Sequence, residues 1–254
     1  MLENEIASRR KSKDILIMAH IVLGYPSFDA SRKIVDQMVQ AGVDLIELQI
    51  PFSEPIADGP VILHANQKAL ANGSTVDECM KIAGELAKKH PIPFLFMTYF
   101  NPVFVRGVER FAKEMHDAGL KGAIIPDLPH EEGKRVYDAL IANNIDPIFL
   151  FSPNTSPERM KSIGAQAHGF IYCIARKGVT GAETQFALIQ DYLAQCRKAT
   201  QLPLALGFGV KNRQDVDGLI GKVDIAVVGS ETIRLIDESG VEAVGPFIRS
   251  LRSQ

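Results

Sequence analysis

Residues 44–60, DLIELQIPFSEPIADGP, join a short apolar strand directly to a loop that carries carboxylates. Pro51 ends the strand, because proline cannot donate a hydrogen bond to a sheet ladder. Side chains alternate across a strand, so one face here is wholly aliphatic while the other carries Glu47 and Gln49. We expect the aliphatic face to contact helices, which leaves Glu47 pointing inward.

An unpaired carboxylate in a dry interior is very unfavourable, so Glu47 is expected to be paired, protonated or catalytic. The loop that follows, residues 51–60, holds three prolines, one glycine and two more acids, Glu54 and Asp58. It is too short for another helix or strand, which predicts a stiff loop, and loops on rigid scaffolds tend to carry chemistry. The alternative for Asp58 is a turn-forming acid that bonds its own backbone.

Strands and amphipathic helices alternate along the whole chain in units of about thirty residues. Residues 1–14 form a charged segment that we expect to be a solvated leading helix. The predicted strands are 15–26, 44–50, 94–100, 122–128, 147–153, 169–175, 202–209 and 224–230.

Eight such units without a proline- or serine-rich linker predict an α/β fold. We expect one closed (β/α)8 TIM barrel domain over residues 1–254, with an extra N-terminal helix and a short phosphate-binding helix after strand 8. The alternative is a doubly wound open sheet, which needs a topological switch point and usually a glycine-rich turn after the first strand. The glycines here cluster after the seventh and eighth strands instead.

Composition narrows the class of function. With 254 residues, 46% hydrophobic content and a net charge of -2, the chain can bury one large core and shows no basic stripe for nucleic acid. Cys79, Cys173 and Cys196 lack C-x-x-C spacing, and His20 and His64 lack metal-ligand spacing, so no metal site is predicted. Residues 1–14 precede only about ten apolar residues, too few for a membrane span, and we expect a cytoplasmic protein.

In a TIM barrel the active site lies at the C-terminal ends of the strands. Besides Glu47 and Asp58, this rule collects Asp127 from the fourth strand and Tyr172 from the sixth, with Lys177 and Thr180 beyond it. Two carboxylates on one strand and loop suit general acid–base chemistry, because unequal burial separates their pKa values. The structural alternatives are that Tyr172 belongs to the core, Asp127 caps the next helix and Lys177 is solvated.

Glycines at two strand ends predict a phosphate site. Gly207 and Gly209 follow the seventh strand, and Gly229 and Ser230 end the eighth, where a short helix begins. Backbone N–H groups approach a ligand closely where glycine lacks Cβ, and a helix N-terminus adds positive dipole. The alternative is that these glycines only turn the chain.

Taken in order, these motifs resemble those of the tryptophan synthase α subunit family, over residues from about 24 to about 232. The matching stretches are Glu47, PFSEPIADGP at 51–60, PDLP-x-EE at 126–132, GFIY at 169–172, GVTG at 178–181, GFG at 207–209 and VGS at 228–230. The loop decapeptide together with GVTG is the specific part of this pattern.

The resemblance implies a lyase that cleaves indole-3-glycerol phosphate to indole and glyceraldehyde 3-phosphate by retro-aldol chemistry. It implies no cofactor in this chain and a β-subunit partner that holds pyridoxal phosphate and receives indole through a tunnel, in an α2β2 heterotetramer. Two other functions remain open from the residues: another phosphate-binding barrel isomerase or epimerase, and a non-catalytic subunit that activates a β-type partner.

The resemblance also assigns roles to residues. Glu47 matches the general acid–base glutamate, and Asp58 matches the aspartate that holds the indole N–H and balances charge on the ring. Residues expected from it to contact the substrate are Tyr172, Thr180, Gly181 and Phe208. Alternation adds Gln49, which follows Glu47 by two residues on the inward face of the same strand. Residues expected to bind the substrate phosphate are Gly207, Gly209, Gly229 and Ser230.

The chain departs from the family's usual motifs in two stretches. Where members commonly have I-T-A-G-D-P, this chain has IVLGYP. Val22 thus replaces a hydroxyl-bearing residue, and Tyr25 replaces an acid. Where they have E-L-G-x-P-F-S-D-P, Gln49 replaces glycine and Glu54 replaces aspartate. We expect the Gln49 amide to find its partners in the Glu47 carboxylate or the loop backbone.

Overall fold

The computed structural model of the chain describes residues 2–174, 182–207 and 209–252, with the backbone alone at 182–188. In these residues eight parallel strands form a closed barrel in sequence order, and the last strand pairs with the first. The strands are β1 (Leu16–Val22), β2 (Leu45–Gln49), β3 (Phe94–Met97), β4 (Gly122–Ile124), β5 (Asp146–Phe151), β6 (Ile171–Ile174), β7 (Leu204–Gly207) and β8 (Ile225–Val228). The predicted (β/α)8 architecture is confirmed, and the open-sheet alternative is wrong.

Helices surround the barrel and connect successive strands. Within the described residues, none is long and apolar enough to cross a membrane. The helices are α1 (Leu2–Arg10), α2 (Phe28–Gln40), α3 (Pro60–Ala71), α4 (Val76–Lys89), α5 (Phe100–Arg106), α6 (Val108–Asp117), α7 (Lys134–Ala142), α8 (Pro157–Gln166), α9 (Ala182–Ala199), α10 (Arg213–Asp217), α11 (Ser230–Ser239) and α12 (Val244–Ser250), the last after a 3-10 turn at Val241–Ala243.

Helix α5 occupies a place where the sequence predicted the end of a strand. The expected strand 94–100 stops at Met97, and Phe100 is already helical. Asp127 explains the change, because its Oδ1 accepts a hydrogen bond of 2.8 Å from the Phe100 N–H at the start of the helix. Pro102 lies in the first turn, where a missing N–H costs nothing. The strand therefore ends three residues before the expected one does.

Alternation on β2 follows the prediction. Leu45 belongs to the cluster inside the barrel, whereas Ile46 and Leu48 belong to the larger cluster between strands and helices. Glu47 is therefore on the inner face, as expected, and Gln49 shares that face.

The N-terminal helix α1 packs against the barrel instead of standing in solvent, so the expectation of a solvated helix was wrong. Leu2 and Ile6, four residues apart on one face, are each 1% exposed and join the inner cluster with Leu16 and Leu45, which begin their strands. The Leu2 N–H also donates to the Asp146 carboxylate at 2.8 Å. The helix thus covers the barrel interior at the N-terminal ends of the strands and leaves the opposite end open.

Candidate active site

A cavity of about 560 Å³ lies at the C-terminal ends of the strands, within the roughly 300–1,000 Å³ usual for small-molecule sites. Its walls come from both carboxyl-bearing and glycine-bearing strand ends, which the closed barrel brings together. The predicted site residues that line it are Glu47, Asp58, Tyr172, Gly207, Gly209, Gly229 and Ser230.

Glu47 is paired with His20 of the neighbouring strand. The register of β1 and β2 places these two residues opposite each other, and His20 Nδ1 lies 3.0 Å from Glu47 Oε1. Both residues are 3% exposed, and both line the cavity. A buried carboxylate next to an imidazole is the paired outcome that the burial of Glu47 required.

The pKa of His20 is raised above its ordinary value. Burial alone lowers it, but the charge of Glu47 and the hydrogen bond to Glu47 outweigh burial, and the charge of Asp58 and the side chain of Gln49 raise it further. The imidazole is consequently held toward its charged form, between two carboxylates.

Sequence reasoning missed His20 because histidines were considered only as metal ligands. Among the described residues there is no cluster of histidine, cysteine, aspartate or glutamate that could hold a metal ion. The signal was the alternation on β1: Leu16 and Met18 point into the barrel, so His20 follows on the same face, opposite Glu47.

Asp58 is held over the end of β2 by side chains. Gln49 Nε2 donates to Asp58 Oδ2 at 2.7 Å, and Asn66 Nδ2 donates to the same oxygen at 3.4 Å. Gln49 and the nearby Tyr99 hydroxyl both lower the pKa of this carboxyl group. The pKa of Asp58 is nevertheless raised, chiefly by burial and also by the charge of Glu47. The alternative of an acid that only bonds its own turn does not fit these side-chain contacts.

Gln49 takes a different partner from the one expected. Its amide donates to Asp58, and more weakly to Asn66 Oδ1 at 3.4 Å, whereas Glu47 is engaged by His20. The reason lies in the loop, which returns across the strand end and brings Asp58 to the last residue of β2. Gln49 is fully buried and does not line the cavity, whereas Asp58 and Glu47 do, so the expected direct contact of Gln49 with the substrate is not seen.

The wall formed by the ends of β7 and β8 carries donors for an anion. Gly229 is the N-cap residue of α11 and has no side chain that could accept from the first N–H groups of the helix. Those N–H groups can therefore donate to an anion. Gly209 adopts φ +65°, a conformation that favours glycine, and the space around it is open. At Gly207 a Cβ would lie 3.0 Å from the Tyr172 hydroxyl, so this glycine makes room for the tyrosine.

Several predicted residues lie elsewhere. Thr180, Gly181, Phe208 and Lys177 are outside the described residues. Helix α9 begins at Ala182, the first described residue after position 174.

Of the departures from the family motifs, Tyr25 has a clear new contact. Its hydroxyl donates to Asp237, which ties the loop after β1 to α11. Its ring packs edge-on against the His64 ring, with 6.3 Å between the two ring centroids. Val22 is buried, and Glu54 is exposed on the loop after β2.

The charges of the cavity are suited to moving protons next to a phosphate. Glu47 and Asp58 differ in surroundings, since one pairs with an imidazole and the other with neutral donors. Tyr172, whose pKa is raised well above the ordinary value by burial and by these two acids, lies on the β6 wall.

A sequence model of the tryptophan synthase alpha chain family matches residues 6–246. The chain belongs to the tryptophan synthase alpha chain family. The tryptophan synthase alpha chain of Desulforapulum autotrophicum is 58% identical over 252 residues, which cover 99% of this chain and 100% of that one.

Two solved structures show the same fold. Tryptophan synthase of Mycobacterium tuberculosis superposes with a TM-score of 0.91 at 29% identity over 98% of this chain and 96% of that chain. The tryptophan synthase complex of Pyrococcus furiosus gives 0.85 at 29% identity over 93% and 97%. The reaction of the family is the lyase cleavage of indole-3-glycerol phosphate to indole and glyceraldehyde 3-phosphate in tryptophan biosynthesis.

Proposed function

We propose that Glu47 and Asp58 carry out this cleavage in the cavity at the open end of the barrel. The observation that carries the proposal is their placement: both carboxylates line one cavity whose other wall holds the N-terminus of α11. A phosphorylated substrate anchored at the helix directs its indole and glycerol groups toward the two acids.

The chemistry assigns each acid a task. Glu47 delivers a proton to indole C3, and the positive charge that forms on the ring is balanced by ionised Asp58 at the ring N–H. Glu47 then removes the proton of the glycerol hydroxyl whose carbon becomes the aldehyde. The carbon–carbon bond breaks, its electron pair neutralises the ring, and indole and glyceraldehyde 3-phosphate leave with no net change in protons.

The phosphate is held mainly by backbone donors. Gly209, Gly229 and Ser230 offer N–H groups at a strand end and a helix N-terminus, and Gly207 gives Tyr172 its place beside them. Thr180, Gly181 and Phe208 complete the substrate contacts by likeness to the family. Gln49 contributes through Asp58, whose carboxylate it holds.

The chain works as a single barrel domain and needs no cofactor of its own. It assembles with a tryptophan synthase β subunit, which supplies pyridoxal phosphate, into an α2β2 heterotetramer in the cytoplasm. Support comes from the Pyrococcus furiosus relative, whose structure is that of a tryptophan synthase complex. Large exposed apolar side chains on the loop after β2 and on α5 support the same partner.

The test is release of indole from indole-3-glycerol phosphate, measured with and without a β subunit. Glu47→Gln keeps the shape of the side chain but cannot exchange the proton, so turnover should fall by about 100- to 10,000-fold. Glu109→Gln, at an exposed glutamate paired with Arg135 on the helical surface, is the matched control and should behave as wild type. Turnover of Glu47→Gln within a few-fold of wild type removes Glu47 from the mechanism.

A further inference from the structure

The contact between His20 and Glu47 leaves one atom of each side chain unused. His20 Nδ1 lies 3.0 Å from Glu47 Oε1, while Glu47 Oε2 and His20 Nε2 are buried and make no hydrogen bond within the described part of the chain. Both side chains line the cavity. One carboxylate oxygen is thus held by the imidazole, while the other is shielded from water and has no partner among the described residues, as a group that exchanges a proton with a bound ligand requires.

The ring of His20 is itself fixed. Its strand is hydrogen-bonded to β2 on one side and to β8 on the other, and a Cβ on Gly229 would lie 3.4 Å from His20 Cβ. The imidazole is therefore packed between the acid-bearing strand and the glycine that precedes α11. A ring with so little room can set the rotamer of the carboxylate that it contacts.

We propose that His20 is a positioning residue for Glu47, holding Oε1 through Nδ1–H so that Oε2 faces the substrate. The inference rests on the proposed role of Glu47 and adds a residue to the machinery of that site. A base that is oriented by a third group is the general arrangement of activated acid–base pairs. Here the third group is a histidine, and its positive charge stabilises the negative charge that Glu47 acquires on giving up its proton.

The charged groups around His20 make the effect depend on pH. Glu47 and Asp58 face the imidazole from β2 and its loop, and Tyr172 faces the same two acids from β6. Because the folded pKa of His20 is raised above 6.5, its charge stabilises the fold fully below pH 6.5, and this contribution is lost as pH rises through the folded pKa. The electrostatic stabilisation of the Glu47 carboxylate by the His20 imidazolium should weaken over the same pH interval.

Three substitutions separate positioning from packing. His20→Asn places an amide N–H near the position of Nδ1, His20→Gln places one near Nε2, and His20→Leu removes both donors. We expect the Leu and Gln variants to lose about 10- to 100-fold in kcat, as is typical when a partner that orients a functional ligand is removed. The Asn variant should recover most of this loss, and its pH profile should lack the alkaline change due to the imidazole.

Substrate binding provides the contrast. Affinity for indole-3-propanol phosphate, which lacks the hydroxyl groups needed for cleavage, should stay within about threefold in all three variants, with KM changing less than kcat. A rise in KM with unchanged kcat would make His20 a substrate ligand instead. Equal loss of kcat in the Asn and Leu variants, or a kcat within twofold of wild type in the Leu variant, would overturn the proposal.

Nuclear magnetic resonance of the protein labelled with 15N-histidine tests the pair without any turnover. The signal missing from His20→Asn identifies His20. In the wild type it should titrate above the ordinary pKa of 6.5 with a protected Nδ1–H, and in Glu47→Gln its pKa should fall. An identical titration in both proteins would refute the pair. If the wild type released no indole with or without a β subunit, the proposed function would fail while this measurement still reported on the contact.

Discussion

At the scale of single residues, Asp58 is the acid whose surroundings define its task most clearly. Asp58→Asn keeps the size of the side chain but removes the charge that balances the indole ring, so kcat should fall by at least about 100-fold. Affinity for indole-3-propanol phosphate, measured by calorimetry, should change much less. If affinity and kcat fell in parallel, Asp58 would be a binding group.

The pH dependence of turnover follows from the same carboxyl group. Because burial raises the pKa of Asp58 above its ordinary value of 3.8, the group becomes protonated, and activity is lost, at a higher pH than for an exposed aspartate. Asp58→Asn should remove this acidic limb from the profile of its residual activity.

Gln49 modulates that limb through its hydrogen bond. In the wild type the 2.7 Å hydrogen bond from Gln49 lowers the pKa of Asp58. Gln49→Met keeps the length of the side chain and deletes this donor, so the pKa of Asp58 should rise. The acidic limb should therefore move to higher pH, while KM stays near that of the wild type because Gln49 lies behind the cavity wall. The free energy of unfolding should drop by about 1–3 kcal/mol, since buried partners lose a hydrogen bond.

The control for this variant is Gln166→Met, at an exposed glutamine of α8. A shift of the acidic limb in both variants, or in neither, would show that the contact between Gln49 and Asp58 does not tune the carboxyl group.

At the scale of secondary structure elements, the N-terminus of α11 is the proposed phosphate site. Ser230→Asp places a negative charge at the first residue of this helix, where the phosphate is expected. A carboxylate there is tolerated by the helix dipole but repels the substrate, so KM should rise by at least about tenfold with little loss of stability. Ser239→Asp adds the same charge at the far end of α11 and should leave KM unchanged. Equal KM values in both variants would move the phosphate elsewhere.

Local sequence patterns predicted two elements incorrectly. The segment 94–100 is apolar apart from Thr98 and the Tyr99 hydroxyl, yet Phe100 starts a helix because Asp127, distant in sequence, accepts its N–H. Half of residues 1–14 are charged, yet Leu2 and Ile6 are buried because the barrel interior has room for them at the N-terminal ends of its strands. Both outcomes depend on tertiary contacts that no local pattern contains.

At the scale of the whole molecule, periodicity was sufficient for the barrel and for the inward side of Glu47. The alternation of eight strands and helices determines the architecture, and a closed barrel then brings Glu47, Tyr172 and Gly229 to one cavity. Register was not accessible in the same way. The pairing of His20 with Glu47 depends on how β1 aligns with β2, and the contact of Gln49 with Asp58 depends on the path of a loop.

The last prediction concerns the partner and rests on exposed apolar side chains at the open end of the barrel. Ile56 on the loop after β2 is 75% exposed, and Phe104 and Val105 on α5 are 64% and 77% exposed. These segments follow the neighbouring strands β2 and β3, beside the cavity from which indole must leave. Exposed apolar groups of this size are typical of a protein interface.

We therefore expect Ile56→Asp and Phe104→Asp to weaken binding of a β subunit by at least about tenfold, because each buries an unpaired charge in the complex. The control is Ile220→Asp, since Ile220 is 41% exposed but lies before β8, at the opposite end of the barrel. Calorimetric titration with the β subunit gives the affinities, and indole release without the β subunit should stay unchanged in all three variants. Equal weakening by Ile220→Asp, or none by the other two, would place the partner on a different face, and indole leaving the open end would then have no direct route to it.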